Sequence, residues 1–197
     1  MSVLGSQEIK GFLNRDDIAE RLVITPLLDS NQVGASSVDV RLGNEFIVTR
    51  RGGLPSIDPT NEASVYHQYQ TKRHVNFKEK FYLHPNELVL ASTLEYIRLP
   101  KDLTAYVTSR SSWGRVGLVI ATAVAIAPGF TGCITLELVN LGEVPLILYP
   151  GARIAQLVIE ECKGGSQYTG KYSCHTGPQY ANVFNDKDMA YFAKKRR

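Results

Sequence analysis

The sequence predicts a mainly β domain, folded as a barrel or a sandwich. Residues 80–161 contain a series of short runs rich in β-branched and aromatic residues, and no long helical pattern alternates with them. Turn-like breaks such as HPNE, LPKD, APGF, LGEV and YPGA separate most of the runs. The runs are KFYLH, LVLAST, EYIRL, TAYVTS, LVIATAVAI, CITLELVN, PLILY and RIAQLVIEE. Because 197 residues suffice for one core, we expect a single domain over residues 1–197.

The segment before this series predicts a short helix and two further strands. Ser6 is expected to cap the helix, in which Ile9, Phe12 and Leu13 recur at helical spacing. Residues 16–22 could add a second helical turn. In SVDVRLG apolar residues alternate as in a half-buried strand, and EFIVT follows it directly.

Two polar segments complete the layout. Residues 50–80 begin rich in Gly and Pro, which predicts a long surface excursion. After the β core ends near residue 161, residues 165–197 predict a flexible arm and tail that contain YTGKYSCHTGPQY. This arm is either a solvated tail with scattered aromatic residues or a lid that closes over a ligand.

Composition and charge exclude several classes of protein. A net charge of +3 is too small to indicate nucleic-acid binding, and the terminal KKRR is typical of a solvated tail. No apolar run approaches the roughly 20 residues of a membrane span, and the N-terminus lacks a secretory pattern. The three cysteines lack CxxC spacing, which favours a reducing cytoplasm.

Glu137 is the one carboxylate in the apolar run CITLELVN. Strand alternation places it on one face with Thr135 and Val139, opposite Ile134 and Leu136. A glutamate in such a place commonly faces solvent. Its short β-branched neighbours suit the lining of a cavity equally well, and desolvation there would raise the carboxyl pKa, as a general base requires.

The segment SRSSWGRVG combines the groups that bind phosphate. Hydroxyls and main-chain N–H groups of a tight turn can bind an anion, and Arg110 and Arg115 can add bidentate bonds. A capped helical turn with solvated arginines explains the segment equally well. No zinc site is expected, because the four histidines are scattered and the H-x-E and P-C-x-x-C patterns of zinc deaminases are absent.

RSSWGRVGL followed by APGFTGCITLELVN resembles the dCTP deaminases, the branch of the trimeric dUTPase superfamily that deaminates cytosine without zinc. SSVDVRLGNEF, FYLHPNELVLASTLEYIRLP, YPGARIAQLVIEE and YTGKY extend the resemblance over nearly the whole chain. It implies a dUTPase-like distorted β-barrel or jelly roll with a short N-terminal helix and a C-terminal closing arm. It also implies a homotrimer with sites between subunits, and Mg2+ bound through the nucleotide triphosphate.

The resemblance also implies roles for individual residues. Glu137 matches the glutamate that takes a proton from water and passes it to the pyrimidine ring and the leaving ammonia. Ser111 and Arg115 match residues that position this water. Thr135 and Leu136 lie where the family's backbone contacts the base. The remaining nucleotide contacts that it implies are Arg110, Ser111, Ser112, Trp113, Gly114 and Arg115 from a neighbouring subunit, with Gln156, Tyr168, Lys171 and the position of His175.

Two positions depart from the family pattern. Ala127 stands in IAPG where the family usually has Asp, which helps to hold the deoxyribose, and His175 stands where the arm usually has Gln. Losing a charged hydrogen-bond partner typically costs about 1.5–3 kcal/mol. Ala127 therefore bears on sugar selectivity, on any diphosphatase step and on activity itself.

Three functions remain open at this point. The first is deamination of dCTP to dUTP and ammonia, which supplies dUMP and thymidylate synthesis. The second is a bifunctional enzyme that continues to dUMP and diphosphate. Gly114 and the compact loop 120–124 resemble that branch, whereas Ala127 argues against its hydrolytic step. The third is a nucleotide-binding homologue with weakened catalysis.

Overall fold

A computed structural model describes residues 2–50, 56–60, 69–121 and 125–193. In these ranges the chain forms three short α-helices, two 3-10 helices (Ser30–Gln32 and Val183–Asn185) and twelve strands, whose pairings are antiparallel. The helices are α1 (Ser6–Leu13), α2 (Ser111–Gly114) and α3 (Met189–Phe192). The strands are β1 (Val23–Thr25), β2 (Val38–Arg41), β3 (Glu45–Thr49), β4 (Gln70–His74), β5 (Phe81–Leu83), β6 (Leu88–Arg98), β7 (Leu103–Ser109), β8 (Leu118–Ile120), β9 (Ala125–Ile126), β10 (Thr131–Asn140), β11 (Leu146–Leu148) and β12 (Arg153–Glu161).

Three sheets enclose one apolar core. The largest has the order β4-β3-β6-β10-β8, with β1 also paired to β6. A four-stranded sheet has the order β2-β12-β7-β9, and β5 pairs with β11. Phe46 and Phe81 stack in the core with ring centroids 4.1 Å apart. The mainly β prediction is confirmed, and the β core ends at Glu161 as expected.

The N-terminal helix forms where the spacing predicts it, with two local corrections. Gly5 caps α1 with extended backbone, so the prediction that Ser6 is the cap is wrong by one residue. Ile9 is the fully buried contact of the helix. Residues 16–22 form a hydrogen-bonded turn instead of a second helix, because the Asp17 side chain accepts a bond from Ala19 N at 2.8 Å.

Several strand boundaries differ from the predicted runs. LVLAST and EYIRL form the single strand β6, since Ser92 and Thr93 are buried within it and Thr93 Oγ1 bonds to the Glu95 carbonyl. The run LVIATAVAI contributes β8 and β9 to different sheets, and residues 122–124 lie outside the described ranges. The expected excursion contains β4, while 51–55 and 61–68 also lie outside the described part.

A buried polar cluster joins β2 to β6 between two of the sheets. The fully buried Glu95 accepts hydrogen bonds from Gln32 Nε2 at 2.9 Å and from Arg41 N at 2.8 Å. Burial raises the pKa of Glu95, and these bonds and the Arg41 charge oppose that shift. Within the described ranges, no helix has the length and apolar character needed to cross a bilayer.

Candidate active site

Glu137 lies in β10, whose two faces separate as the alternation predicts. Ile134 and Leu136 are buried, whereas Thr135, Glu137 and Val139 are only partly covered. Burial raises the pKa of the Glu137 carboxyl above its ordinary value. The strand therefore presents a carboxylate with increased proton affinity at the edge of the core.

This carboxylate lines a cavity of about 280 Å³. The β strands supply one wall, and residues of the C-terminal segment supply the other. The lining residues are Leu90, Ala125, Ile126, Phe130, Cys133, Ile134, Thr135, Glu137, Tyr172, Gln179, Tyr180 and Ala181. This volume is close to the lower limit for pockets that hold small ligands.

The arm folds back along the first half of β10. Cys174 N donates to Thr131 O at 2.7 Å, and Cys133 N donates to His175 O at 2.7 Å. Further along, Gln179 N donates to Thr135 Oγ1 at 3.2 Å. The arm and Glu137 of the same chain thus lie on opposite sides of one cavity.

Residues 127–130 form a tight turn that also contacts the arm. Phe130 N donates to Ala127 O at 3.1 Å, and Gly129 has a φ of 75°, which an L-residue rarely adopts. Tyr168 N donates to Pro128 O at 3.0 Å, so the start of the arm is attached here. Ala127 itself lies one residue beyond the cavity lining, and its methyl group offers no hydrogen bond there.

The RSSWGR segment is a helical turn, as one of its two interpretations expects. Ser111, Ser112, Gly114 and Arg115 are all exposed in α2 and directly after it. None of residues 110–115 lines the cavity of Glu137 in the same chain. The structure therefore does not bring Ser111 and Arg115 to this carboxylate within one subunit.

Two predicted nucleotide contacts, Arg110 and Gln156, meet at Asp39. Gln156 Nε2 donates to Asp39 Oδ1 at 2.9 Å, and Arg110 Nη2 lies 3.7 Å from Asp39 Oδ2. Trp113 Nε1 donates to Arg153 O at 3.0 Å and anchors α2 to the same strand end. Trp113 thus has a structural contact in this chain in addition to any contact with a ligand.

The remaining predicted residues lie in the arm or the core. Tyr168 packs on Phe130 with ring centroids 5.8 Å apart, and Lys171 forms an ion pair with Asp186. Leu136 is fully buried and is not among the residues that line the cavity. The main-chain oxygen of His175, described above, bonds to β10.

Sequence reasoning missed three residues that shape this region. Gln179 and Tyr180 line the cavity beside Tyr172, which the sequence places in an arm that could close over a ligand. Nothing local in an arm sequence shows which strand the arm will cover. Asp39 had a usable signal, since it is a carboxylate in the apolar run SVDVRLG, as Glu137 is in CITLELVN. Among the described residues, no three His, Cys, Asp or Glu side chains form a group able to hold a metal.

Comparison with known proteins identifies the family of this chain. Residues 3–162 match the model of the dCTP deaminase-like family. The dUMP-forming dCTP deaminase of Methanobrevibacter smithii is 45% identical over 197 residues, covering 96% of this chain and 99% of that protein. The dCTP deaminase of Natronomonas pharaonis is 41% identical over 195 residues, covering 95% and 97%.

A solved structure shows the same fold. The 2'-deoxycytidine 5'-triphosphate deaminase from Agrobacterium tumefaciens aligns with a TM-score of 0.59 and 22% identity over 79% of this chain. The aligned part spans 45% of that solved chain, less than half of its length. With the family model covering most of its length and close relatives matching nearly all of it, this chain belongs to the dCTP deaminase-like family.

Proposed function

We propose that this protein deaminates dCTP, releasing ammonia without zinc. The observation that carries the proposal is Glu137, a half-buried carboxylate with a raised pKa in a cavity of nucleobase size. The substrate is dCTP that carries Mg2+ on its triphosphate. The absence of nucleic-acid or membrane partners and a cytoplasmic location stay predictions from the sequence.

Glu137 acts as the general base in this proposal. It takes a proton from a water molecule whose oxygen adds to C4 of cytosine, and it delivers that proton to N3 of the ring. It then moves the second water proton to the exocyclic amino group, the C4–N bond breaks, and ammonia leaves as the C4 carbonyl forms. A raised pKa lies closer to neutral pH than the ordinary carboxyl value does. Such a carboxyl group can therefore both accept a proton from water and release it to the substrate.

Replacing Glu137 by Gln tests the mechanism. We expect ammonia release from dCTP to fall by about 10²- to 10⁴-fold, the usual contribution of a general base. Glu143→Gln, at an exposed position in the loop after β10, is the matched control and should retain wild-type activity. A Glu137→Gln variant that keeps most of the rate would exclude the proposed base.

The second half of the site comes from another subunit in this proposal. Exposed Ser111 and Arg115 lie outside the cavity of their own chain, which supports a homotrimer in which they face Glu137 of a neighbour and hold the attacking water. Further nucleotide contacts are proposed at Arg110, Ser112, Gln156 and Lys171.

Mixing two inactive variants tests this arrangement. Glu137→Gln subunits have an intact RSSWGR turn but no catalytic base. Arg115→Ala subunits have an intact Glu137 but a defective turn. Each mixed trimer then contains one complete site, so random equal mixing should restore about a quarter of wild-type activity. No recovery after verified subunit exchange would place the whole site within one chain.

The product is the second question, and two observations point in different directions. The M. smithii relative, 45% identical, is a dUMP-forming enzyme. Ala127 lacks the carboxylate that would orient water at the α-phosphate, so we favour dUTP as the product. Product analysis after incubation with dCTP, dUTP and CTP in Mg2+ separates these cases. Diphosphate that appears in step with ammonia would establish the bifunctional reaction. Turnover of CTP would show relaxed sugar selectivity.

A further inference from the structure

Beside α2, the Asp39 carboxylate lies in a polar cluster that also contains Arg110, Arg153 and Gln156. Asp39 is 8% exposed and lies in β2 between Val38 and Val40, which are fully buried. Its Oδ1 accepts from Gln156 Nε2 at 2.9 Å, and its Oδ2 lies 3.4 Å from Arg153 Nη1 and 3.7 Å from Arg110 Nη2. A nearly buried carboxylate is stable only with such compensation.

Strand pairing fixes the members of this cluster. Asp39 and Gln156 are direct partners in the pairing of β2 with β12. On the other side of β12, Gln156 pairs with Thr108 of β7. Arg110 follows β7 and donates its main-chain N–H to Ile154 O at 3.2 Å. Three paired strands therefore hold the carboxylate, the amide and the guanidinium together.

Asp39 also balances two neighbouring positive charges. Arg153 has a second partner, Asp29 Oδ2 at 3.1 Å, whereas Asp39 is the carboxylate that pairs with Arg110 among the described residues. The Arg110 side chain is 35% exposed, so part of its guanidinium still faces outward. Without the Asp39 charge, Arg110 would lose its ion pair and would lie beside an Arg153 held only by Asp29.

We propose that Asp39 is a positioning residue that orients Arg110 and Gln156 for binding the nucleotide. This inference rests on the proposed function, in which both residues contact the substrate. Asp39 itself does not touch the reacting atoms. Asp39 orients the Arg110 guanidinium before the nucleotide binds, so that the arginine side chain loses less conformational entropy when it contacts a phosphate.

Asp39→Asn tests the proposal, because an Asn oxygen can still accept from Gln156 while the charge is lost. We expect KM for dCTP to rise roughly 3- to 10-fold, at the low end for a charge pair because Arg110 is partly exposed. The kcat and its pH profile should stay as in the wild type, since Glu137 is untouched. The matched control is Asp29→Asn, which removes the other carboxylate on Arg153 but leaves the Asp39 contacts in place. An equal KM in the two variants, or a loss confined to kcat, would overturn the proposal.

A double-mutant cycle removes the effect of any change in stability. In an Arg110→Ala background, Asp39→Asn should raise KM much less than in the wild type, because its partner is gone. Equal effects in both backgrounds would contradict a role through Arg110.

Binding of inorganic tripolyphosphate, measured by calorimetry, separates this inference from the proposed function. If the wild type releases no ammonia from dCTP but binds tripolyphosphate more tightly than Asp39→Asn does, the deaminase proposal fails and the positioning role stands. If the wild type binds neither tripolyphosphate nor dCTP, both proposals fail.

Discussion

Gly132 lies where the arm crosses β10, and the docked position of the arm leaves no room for a side chain there. Its φ is 142°, and a Cβ at this position would lie 3.1 Å from His175 O, 3.2 Å from His175 N and 3.4 Å from Cys174 N. All three atoms belong to the main chain of the arm, which cannot rotate away as a side chain can. Gly132→Ala should therefore separate the arm from β10.

The expected magnitude follows from the bonds that flank this position. Two main-chain hydrogen bonds of 2.7 Å, Cys174 N to Thr131 O and Cys133 N to His175 O, must lengthen if the arm moves away. At about 0.5–1.5 kcal/mol each, their loss weakens docking by roughly 1–3 kcal/mol, or about 5- to 150-fold in the docking equilibrium. The positive φ adds a further strain of about 1–3 kcal/mol to the whole fold, whether the arm is docked or not.

Hydrogen exchange separates these two effects. The amides of Cys133 and Cys174 should lose protection by more than the core amides of β12 do. Gly11→Ala is the control, because its Cβ would meet nothing within 4 Å and the residue lies inside α1. That variant should gain about 0.5–1 kcal/mol in unfolding free energy. If Gly132→Ala lowers protection equally at all sites, or not at all, the contact at Gly132 does not control docking.

Three further predictions concern the base, the thiols and a buried amide. Because burial raises the pKa of Glu137 above its ordinary value of 4.5, the base becomes protonated as the pH falls, and kcat for deamination should decrease above pH 4.5. A kcat that stays constant down to pH 4.5 would contradict a raised pKa. Burial raises the pKa of the Cys133 thiol to about 11. Iodoacetamide near pH 8 should therefore label the exposed Cys174 much faster than the buried Cys133. Equal labelling of the two thiols, measured by mass spectrometry, would contradict the burial of Cys133. Asn140 is fully buried, and its side-chain amide makes three hydrogen bonds to main-chain atoms. Asn140→Ala should therefore lower the free energy of unfolding in urea by about 2–4 kcal/mol. A loss of less than about 1 kcal/mol would show that these bonds do not stabilise the fold.

Local patterns predicted the strands whose burial alternates, and they failed where contacts between distant segments decide the structure. In β10 the alternation of apolar and polar residues places Glu137 correctly, because one face packs on the core. In β4 the sequence QTKRH contains no apolar residue, yet it pairs with β3 along its full length as an exposed edge strand. Main-chain pairing with β3 decides that strand, and a hydrophobic pattern cannot reveal it.

For the candidate site, the sequence suggested residue types but not the contacts between distant segments. Glu137 and the RSSWGR turn stand out by chemistry alone. The contact between Gln179 and Thr135 joins positions 44 residues apart, and Asp39 meets Gln156 across 117 residues. Such contacts depend on the register of distant strands, for which one sequence contains no local signal.

We expect closure of the arm to affect the proton affinity of Glu137, because the arm and this carboxylate line the same cavity. Tyr172, Gln179 and Tyr180 cover the side of the cavity that faces Glu137, and desolvation is the cause of its raised pKa. The arm is held mainly by single main-chain hydrogen bonds, so it should open at a lower free energy than the barrel unfolds. When it opens, water reaches the carboxylate and its pKa falls toward the ordinary value. We therefore expect Glu137 to be the stronger base when the arm is docked, as it is in this structure, and the weaker base when the arm is open.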